Sequence, residues 1–309
     1  MRYSEVALKV LAAKECGIIK TNAQFWKQYA DREKFENEVA NDERVIEMAE
    51  RIRFDLELAD EGGIVCSFDK DFPYICSTVK NKGEKPFLLF YKGDLSLLQN
   101  LNSNVAVIGL VDPDEEIIRR EKMIVEKLVE NGLVVVSGLA KGCDTVAHKI
   151  CLEKGGKTIA VLPSQVNKVF PAENRGLADE IVKKGGLLIS EYYKDASSKY
   201  EMTNRLVSRD RLQAMFSKAV ILIASYRKGE GDSGSRHAME AAEKYGVERY
   251  VMFNKDRDED NKKFGLNKDL LCENKAKILT HGSINEIKMI KNSSCGTTSA
   301  SGEQLKFFS

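Results

Sequence analysis

From about residue 104 the chain alternates short apolar runs with longer stretches of helical periodicity. Residues 105–109 (VAVIG) form an apolar run closed by glycine. Residues 115–131 then repeat apolar side chains at helical spacing through Ile118, Met123, Val125, Leu128 and Val129, and stop at Gly132. Residues 133–136 (LVVV) are the next apolar run, and a helix predicted at 145–154 ends at Gly155-Gly156. The pattern continues with strands expected at 158–162, 187–190, 220–224 and 250–253 and helices at 177–184, 209–216 and 236–245. Short apolar strands separated by helices imply parallel pairing with both sheet faces covered. The expected fold class is α/β, a doubly wound and mostly parallel sheet.

The flanks differ. Residues 1–62 contain no strand-like run, and their apolar positions (Val45, Ile46, Met48, Ala49, Ile52, Leu56) fall at helical spacing, which predicts a helical N-terminal region. Strands are expected at 63–66 and 85–91, the second closed by Lys92-Gly93-Asp94. The main α/β domain is placed at 63–291. Residues 292–309 begin with a Ser/Thr/Gly-rich stretch that cannot bury a core and are expected to be a flexible tail, carrying the apolar pair Phe307-Phe308 near its tip.

Composition narrows the function. With 48 Lys+Arg against 47 Asp+Glu, the chain cannot coat nucleic acid by bulk attraction, so any polyanion site has to be a local patch. No apolar run is long enough to span a bilayer, and the N-terminus does not read as a signal peptide; a cytoplasmic protein is expected. The seven cysteines are scattered, with no CxxC and no zinc spacing, so they read as reduced thiols, and neither metal nor cofactor is expected.

In an open parallel sheet, ligands gather outside the carboxyl ends of the strands. There the chain places 137–145 (SGLAKGCDT), whose glycines allow close backbone approach, whose helix start supplies N–H groups and whose Lys141 adds charge. This is neither a Walker motif nor GxGxxG. The long loop after 158–162 carries Lys168, Asn174 and Arg175. Residues 199–228 hold seven basic side chains against two acidic ones, with Arg205, Arg209 and Arg211 among them, and 229–237 (GEGDSGSRH) opens another helix. A hydrolytic set drawn from Ser137, Asp144, His148 and Asp210 lacks a GxSxG elbow, so no catalytic residue is assigned.

These motifs in this order (137–148, SGLAKGCDTVAH; TIAVL at 158–162; VFPAEN at 169–174; LISE at 188–191; RDR at 209–211; DSGS at 232–235) closely resemble the DprA/Smf DNA-processing family. The resemblance covers about residues 63–290. It implies an extended Rossmann-like core that binds single-stranded DNA as a homodimer, protects incoming strands in natural transformation and helps load a RecA-type recombinase, without enzymatic activity. On that basis the phosphate contacts are expected from Ser137, Gly138, Lys141, Gly142, Lys168, Asn174, Arg205, Arg209, Arg211, Ser233, Gly234 and Ser235.

Three departures stand out. The family's first strand ends in a turn whose Arg meets phosphate, whereas this chain reads 108–116 (IGLVDPDEE), with no Arg and an acidic run. Asp210 replaces an Asn, and Cys143 an Ile. The tail residues Gln304, Leu305, Phe307 and Phe308 resemble the QLxLF-type peptide that docks on the DNA-polymerase sliding clamp. The alternative function is a nucleotide-binding sensor or nucleoside-monophosphate hydrolase on a related core, with Glu240 as its acidic residue; the Gly-Gly pair of that family's PGGxGT turn is absent here.

Overall fold

A computed structural model describes residues 2–57, 62–231 and 234–290 of the chain. The N-terminal helices are α1 (Glu5–Glu15), α2 (Asn22–Gln28), α3 (Arg32–Glu38) and α4 (Glu43–Glu57). Ser4, Thr21 and Asp31 cap the first three, each side chain accepting a hydrogen bond from a backbone N–H that the helix start leaves unpaired. The helices do not form a separate body: Leu8, Leu11, Phe25 and Phe35 share one core with Leu88, Phe90 and Leu162 of the sheet. Phe25 stacks on Phe87 with ring centroids 4.3 Å apart.

The strands are β1 (Gly63–Cys66), β2 (Leu88–Gly93), β3 (Asn104–Ile108), β4 (Val134–Ser137), β5 (Thr158–Leu162), β6 (Leu187–Ser190), β7 (Ala219–Leu222), β8 (Glu248–Val251) and β9 (Lys277–Ile278). They form one sheet in the order β1-β2-β6-β5-β4-β3-β7-β8-β9. Strands β3 to β9 pair in parallel, while β2 runs antiparallel to both β1 and β6. The doubly wound, mostly parallel fold expected from the sequence is the fold observed. Every residue of β3 to β7 is buried, which is why these strands read as unbroken apolar runs rather than alternating ones.

The covering helices are α5 (Glu115–Glu130), α6 (Cys143–Glu153), α7 (Arg175–Lys183), α8 (Lys199–Met215), α9 (Ser235–Tyr245), α10 (Lys255–Asp258), α11 (Gly265–Cys272) and α12 (His281–Met289). Val125, Ala147 and Ile287 pack with Val105, Val107 and Val135 on one face. Leu212 and Met239 pack with Ala106, Val136 and Val220 on the other.

Most element bounds move by one or two residues, and two starts move further. Strand β2 begins at Leu88 and not at 85, because Pro86 has no N–H to give a ladder. Helix α8 begins at Lys199, ten residues before its expected start at 209. Ser198 caps it through the Glu201 N–H. The first turns lack an apolar stripe because one of their faces opens onto the cleft described next, so the periodicity that marks a packed helix is missing.

Candidate nucleic-acid interface

The chain builds β3 to β6 outward on one side and then returns, so that β7 pairs with the other edge of β3. This reversal is the place where an open α/β sheet leaves a crevice at its carboxyl ends. Here it is a cleft of about 600 Å³, walled by Val111 after β3, Ala140 and Lys141 after β4, and Phe170 and Pro171 after β5. Helix α8 adds Val207, Arg209 and Asp210 among others, and His237 of α9 lines it as well.

Arg209 forms the floor. It is 5% exposed, and its guanidinium lies directly over Gly138, where any side chain would collide with it. Its Nη1 stands 3.8 Å from an Asp144 carboxylate oxygen and its Nε 3.3 Å from Asp210. Neither approach has hydrogen-bond geometry, and Nε and Nη1 are buried without a partner. A buried guanidinium with unmade hydrogen bonds is costly unless an acceptor arrives.

The turn beneath it is braced internally. The Gly138 and Ala140 N–H groups donate to Asp144 Oδ2 at 3.1 and 3.2 Å, and the Cys143 N–H donates to the Leu110 carbonyl. Burial raises the Asp144 carboxyl above its usual range, against the pull of Arg209 and of these N–H groups. At Gly142 the backbone sits at φ +76°, and a Cβ there would lie 2.2 Å from the Leu110 carbonyl oxygen, so only glycine closes the turn. Asn174 is buried and its Nδ2 donates to the Leu139 carbonyl at 2.8 Å and Thr145 Oγ1 at 2.9 Å, which braces the same turn from behind. Ser137 Oγ donates to the Val107 carbonyl at 2.7 Å, and Ser235 Oγ to the Gly109 carbonyl at 3.0 Å.

The expected contacts therefore divide. Lys141, Arg209 and Gly234 line the cleft. Lys141 also pairs with Glu173 at 2.7 Å, and Lys168 with Asp195 at 2.6 Å; all four are exposed, and such pairs exchange partners at little cost. The other two arginines are committed elsewhere. Arg205 bonds Glu201 and the Lys194 carbonyl and lies over the Tyr192 ring at 4.3 Å. Arg211 forms a two-pronged pair with Glu191, both contacts at 2.8 Å, and donates to the Glu84 carbonyl. Burial alone would raise the Glu191 carboxyl, but Arg211 and, behind it, Lys14 and Asn22 bring it below its usual range. Ser233 and the tail residues Gln304, Leu305, Phe307 and Phe308 lie outside the described residues.

The hydrolytic set does not assemble. His148 is fully buried and its Nδ1 meets Thr158 Oγ1 at 2.7 Å, while burial and then Arg209 push its pKa down to about 3. Glu240 bonds Arg236 at 2.7 Å and does not line the cleft. Among the described residues, no group of three or more His, Cys, Asp or Glu side chains could hold a metal, and no helix is long and apolar enough to cross a membrane.

Sequence reasoning missed the apolar part of the site. Val111, Phe170 and Val207 line the cleft and are each at least 40% exposed, at 50%, 41% and 41%. Tyr200, at 77%, lies on α8 at i, i+3 and i+7 spacing from Thr203 and Val207, which line the wall. The signal available was Phe170-Pro171 inside the VFPAEN motif, read there for its polar residues only. A second cleft of about 490 Å³ between α4 and the ends of β2 and β6 balances Arg51 and Lys194 with Glu15, Asp55 and Asp195, a charge mix that suits no polyanion.

Comparison with known proteins identifies the family. The profile of the DNA recombination-mediator protein A family matches residues 63–288. Protein Smf of Synechocystis is 32% identical over 174 residues, 56% of this chain and 42% of its own length. DNA processing protein DprA of Streptococcus pneumoniae is 37% identical over 147 residues, 47% of this chain and 50% of its own. The chain thus spans about half the length of the curated relatives it matches. Among solved structures, that of the S. pneumoniae DprA superposes with a TM-score of 0.70 at 26% identity, covering 92% of this chain and 97% of the other. The Helicobacter pylori DprA, solved to explain its single-stranded DNA binding mode, gives 0.59 at 26% identity, covering 72% and 95%. The chain belongs to the DNA recombination-mediator protein A family, the DprA/Smf proteins of DNA processing.

Proposed function

We propose that this protein binds single-stranded DNA in the switch-point cleft, holding a backbone phosphate over Arg209 and an unpaired base against Phe170. The observation that carries this reading is the Arg209 guanidinium, buried at the cleft floor with two nitrogens unpartnered. A phosphate oxygen would make the hydrogen bonds that the facing Asp144 and Asp210 carboxylates leave unmade. Lys141 at the wall adds charge, and the exposed ring of Phe170 offers a stacking face, the combination by which single strands are held without sequence readout. The single-strand binding of the H. pylori relative supports the same reading.

In this proposal the protein acts as a cytoplasmic homodimer that shields incoming strands and assists loading of a RecA-type recombinase. Residues 63–291 supply the DNA-binding domain and residues 1–62 its helical cover. The tail at 292–309, through Gln304, Leu305, Phe307 and Phe308, docks on the sliding clamp.

The test is fluorescence anisotropy with a labelled single strand of about 30 nucleotides, titrated at several salt concentrations beside mononucleotides. Binding to the strand that weakens steeply with salt is expected. Failure to bind the strand, with a mononucleotide held instead, overturns the proposal.

A further inference from the structure

The acidic turn after β3 has no place in a phosphate site, yet it borders the cleft. Val111 lines the cleft, and Asp112 is the next residue, within about 4 Å along the chain. Of the four carboxylates at 112–116, two are occupied. Asp114 caps α5 through the Ile117 N–H and pairs with Lys263 at 3.3 Å, and Glu116 pairs with Arg119 at 2.8 Å and Arg257 at 3.2 Å. The Asp112 and Glu115 side chains are exposed and make no ion pair among the described residues. Two exposed carboxylates without an ion pair therefore stand in the turn that borders the cleft, with the Lys263 ammonium donating to the Asp112 carbonyl at 3.2 Å, while two nitrogens of the buried guanidinium at the cleft floor make no hydrogen bond.

We infer that this turn discriminates against duplex DNA: Asp112 and Glu115 repel the second backbone that a duplex must bring to the rim when its first backbone reaches Arg209. The inference rests on the single-strand reading above and adds to it what rejects the competitor. The two backbones of a duplex are separated by grooves about 6 and 12 Å wide, and the pair moves as one stiff body. With one phosphate over Arg209, the opposite strand passes within about a Debye length, 8 Å at physiological salt, of the rim carboxylates. A single strand has one backbone and flexible torsions. It keeps its phosphates on the Arg209 side and turns its bases to Phe170, Val111 and Val207, which carry no charge. Specificity of this kind comes from a repulsive element built against the wrong partner.

The test compares affinities for a single strand and its duplex, across a salt series, in the wild type, the D112N/E115Q double variant and R209A. Both acidic positions are exposed, so the double variant keeps the fold, and unchanged circular dichroism verifies it. The double variant is expected to bind duplex about tenfold more tightly at low salt, with a duplex salt slope steeper by about two and single-strand affinity within about twofold of wild type. Its gain on duplex should vanish at high salt. Unchanged duplex affinity, or an equal gain on both ligands, overturns the discriminator while leaving single-strand binding in place. Full single-strand binding by R209A overturns the underlying reading instead, and the inference with it.

Discussion

A methyl group on Gly138 would fall 1.2 Å from Nη1 of Arg209. The glycine that sequence reasoning assigned to close approach of a ligand's backbone is required by close approach of the protein's own arginine. Gly138→Ala therefore moves Arg209 out of its position over the turn. The overpacking costs about 1–3 kcal/mol, and single-strand affinity should fall as far as in Arg209→Ala. Thermal melting and anisotropy on the same preparation test both halves; retention of full affinity would show that Arg209 binds equally well from a displaced position.

Arg209 and Arg211 lie two residues apart and should fail in different ways. Arg209→Ala removes one phosphate contact, lowering affinity for all sequences alike and reducing the salt slope by about one. Arg211→Ala leaves the half-buried Glu191 without its main partner and should cost about 1–3 kcal/mol of stability. Because Arg209→Ala also leaves the buried Asp144 and Asp210 without their cation, both variants lose stability, and the salt slope of the binding curve separates them: it should fall in Arg209→Ala and hold in folded Arg211→Ala, and an equal fall in both contradicts the assignment.

Phe170→Ala keeps every charge at the cleft and removes the stacking face. A drop of about 1–3 kcal/mol in single-strand binding, at an unchanged salt slope, is the expected result. A changed slope would mean that the ring positions a cation instead of a base.

His148 predicts a pH dependence of stability. Thr158 Oγ1 already donates to the Val135 carbonyl, so it accepts from His148 Nδ1–H and leaves Nε2 bare and unpartnered. The folded ring resists protonation to about pH 3, whereas an unfolded histidine protonates near pH 6.5. The unfolded state therefore binds the extra proton between those values, and stability falls as pH drops from about 6.5 toward 3. His148→Gln should flatten the upper part of that decline in a melting series from pH 7.5 to 5, above the range in which exposed carboxylates titrate. A decline identical to wild type would exclude His148 as its source.

Glu121 on α5 is fully buried, and both carboxyl oxygens lack hydrogen bonds. Burial raises its pKa well above the usual range, against the pull of the neighbouring Cys143 thiol. Glu121→Met removes two unsatisfied polar atoms at nearly constant volume and should stabilise the protein by about 1–3 kcal/mol at neutral pH. Chemical denaturation measures it, and a loss of stability would reveal a partner for the carboxyl.

The sheet was legible because burial on both faces leaves β3 to β7 as mostly apolar runs, and Gly132 and Gly155 mark the helix ends. The site was legible only in outline. Arg205, Arg209 and Arg211 read as one basic patch, since nothing local reveals that Glu191 lies against Arg211 or that Tyr192 lies under Arg205. The N–H groups of 138–140 read as a phosphate cradle because Asp144, in the same motif, gives no sign in the sequence of turning back to accept two of them. The exposed apolar rim of Val111, Phe170 and Val207 was invisible for the opposite reason: an apolar residue in a sequence reads as core until a fold shows it left uncovered.

The central position of β3 also has a consequence for synthesis. One edge of β3 is satisfied early, by β4, but the other waits for β7, whose partner residues such as Ala219 emerge from the ribosome long after Val105. The cleft draws walls from Val111 through to His237, so a nascent chain halted anywhere before α9 has no finished cleft. Competence to hold a strand is thus a late event in the life of the chain, delayed until nearly the whole α/β layer has closed on itself.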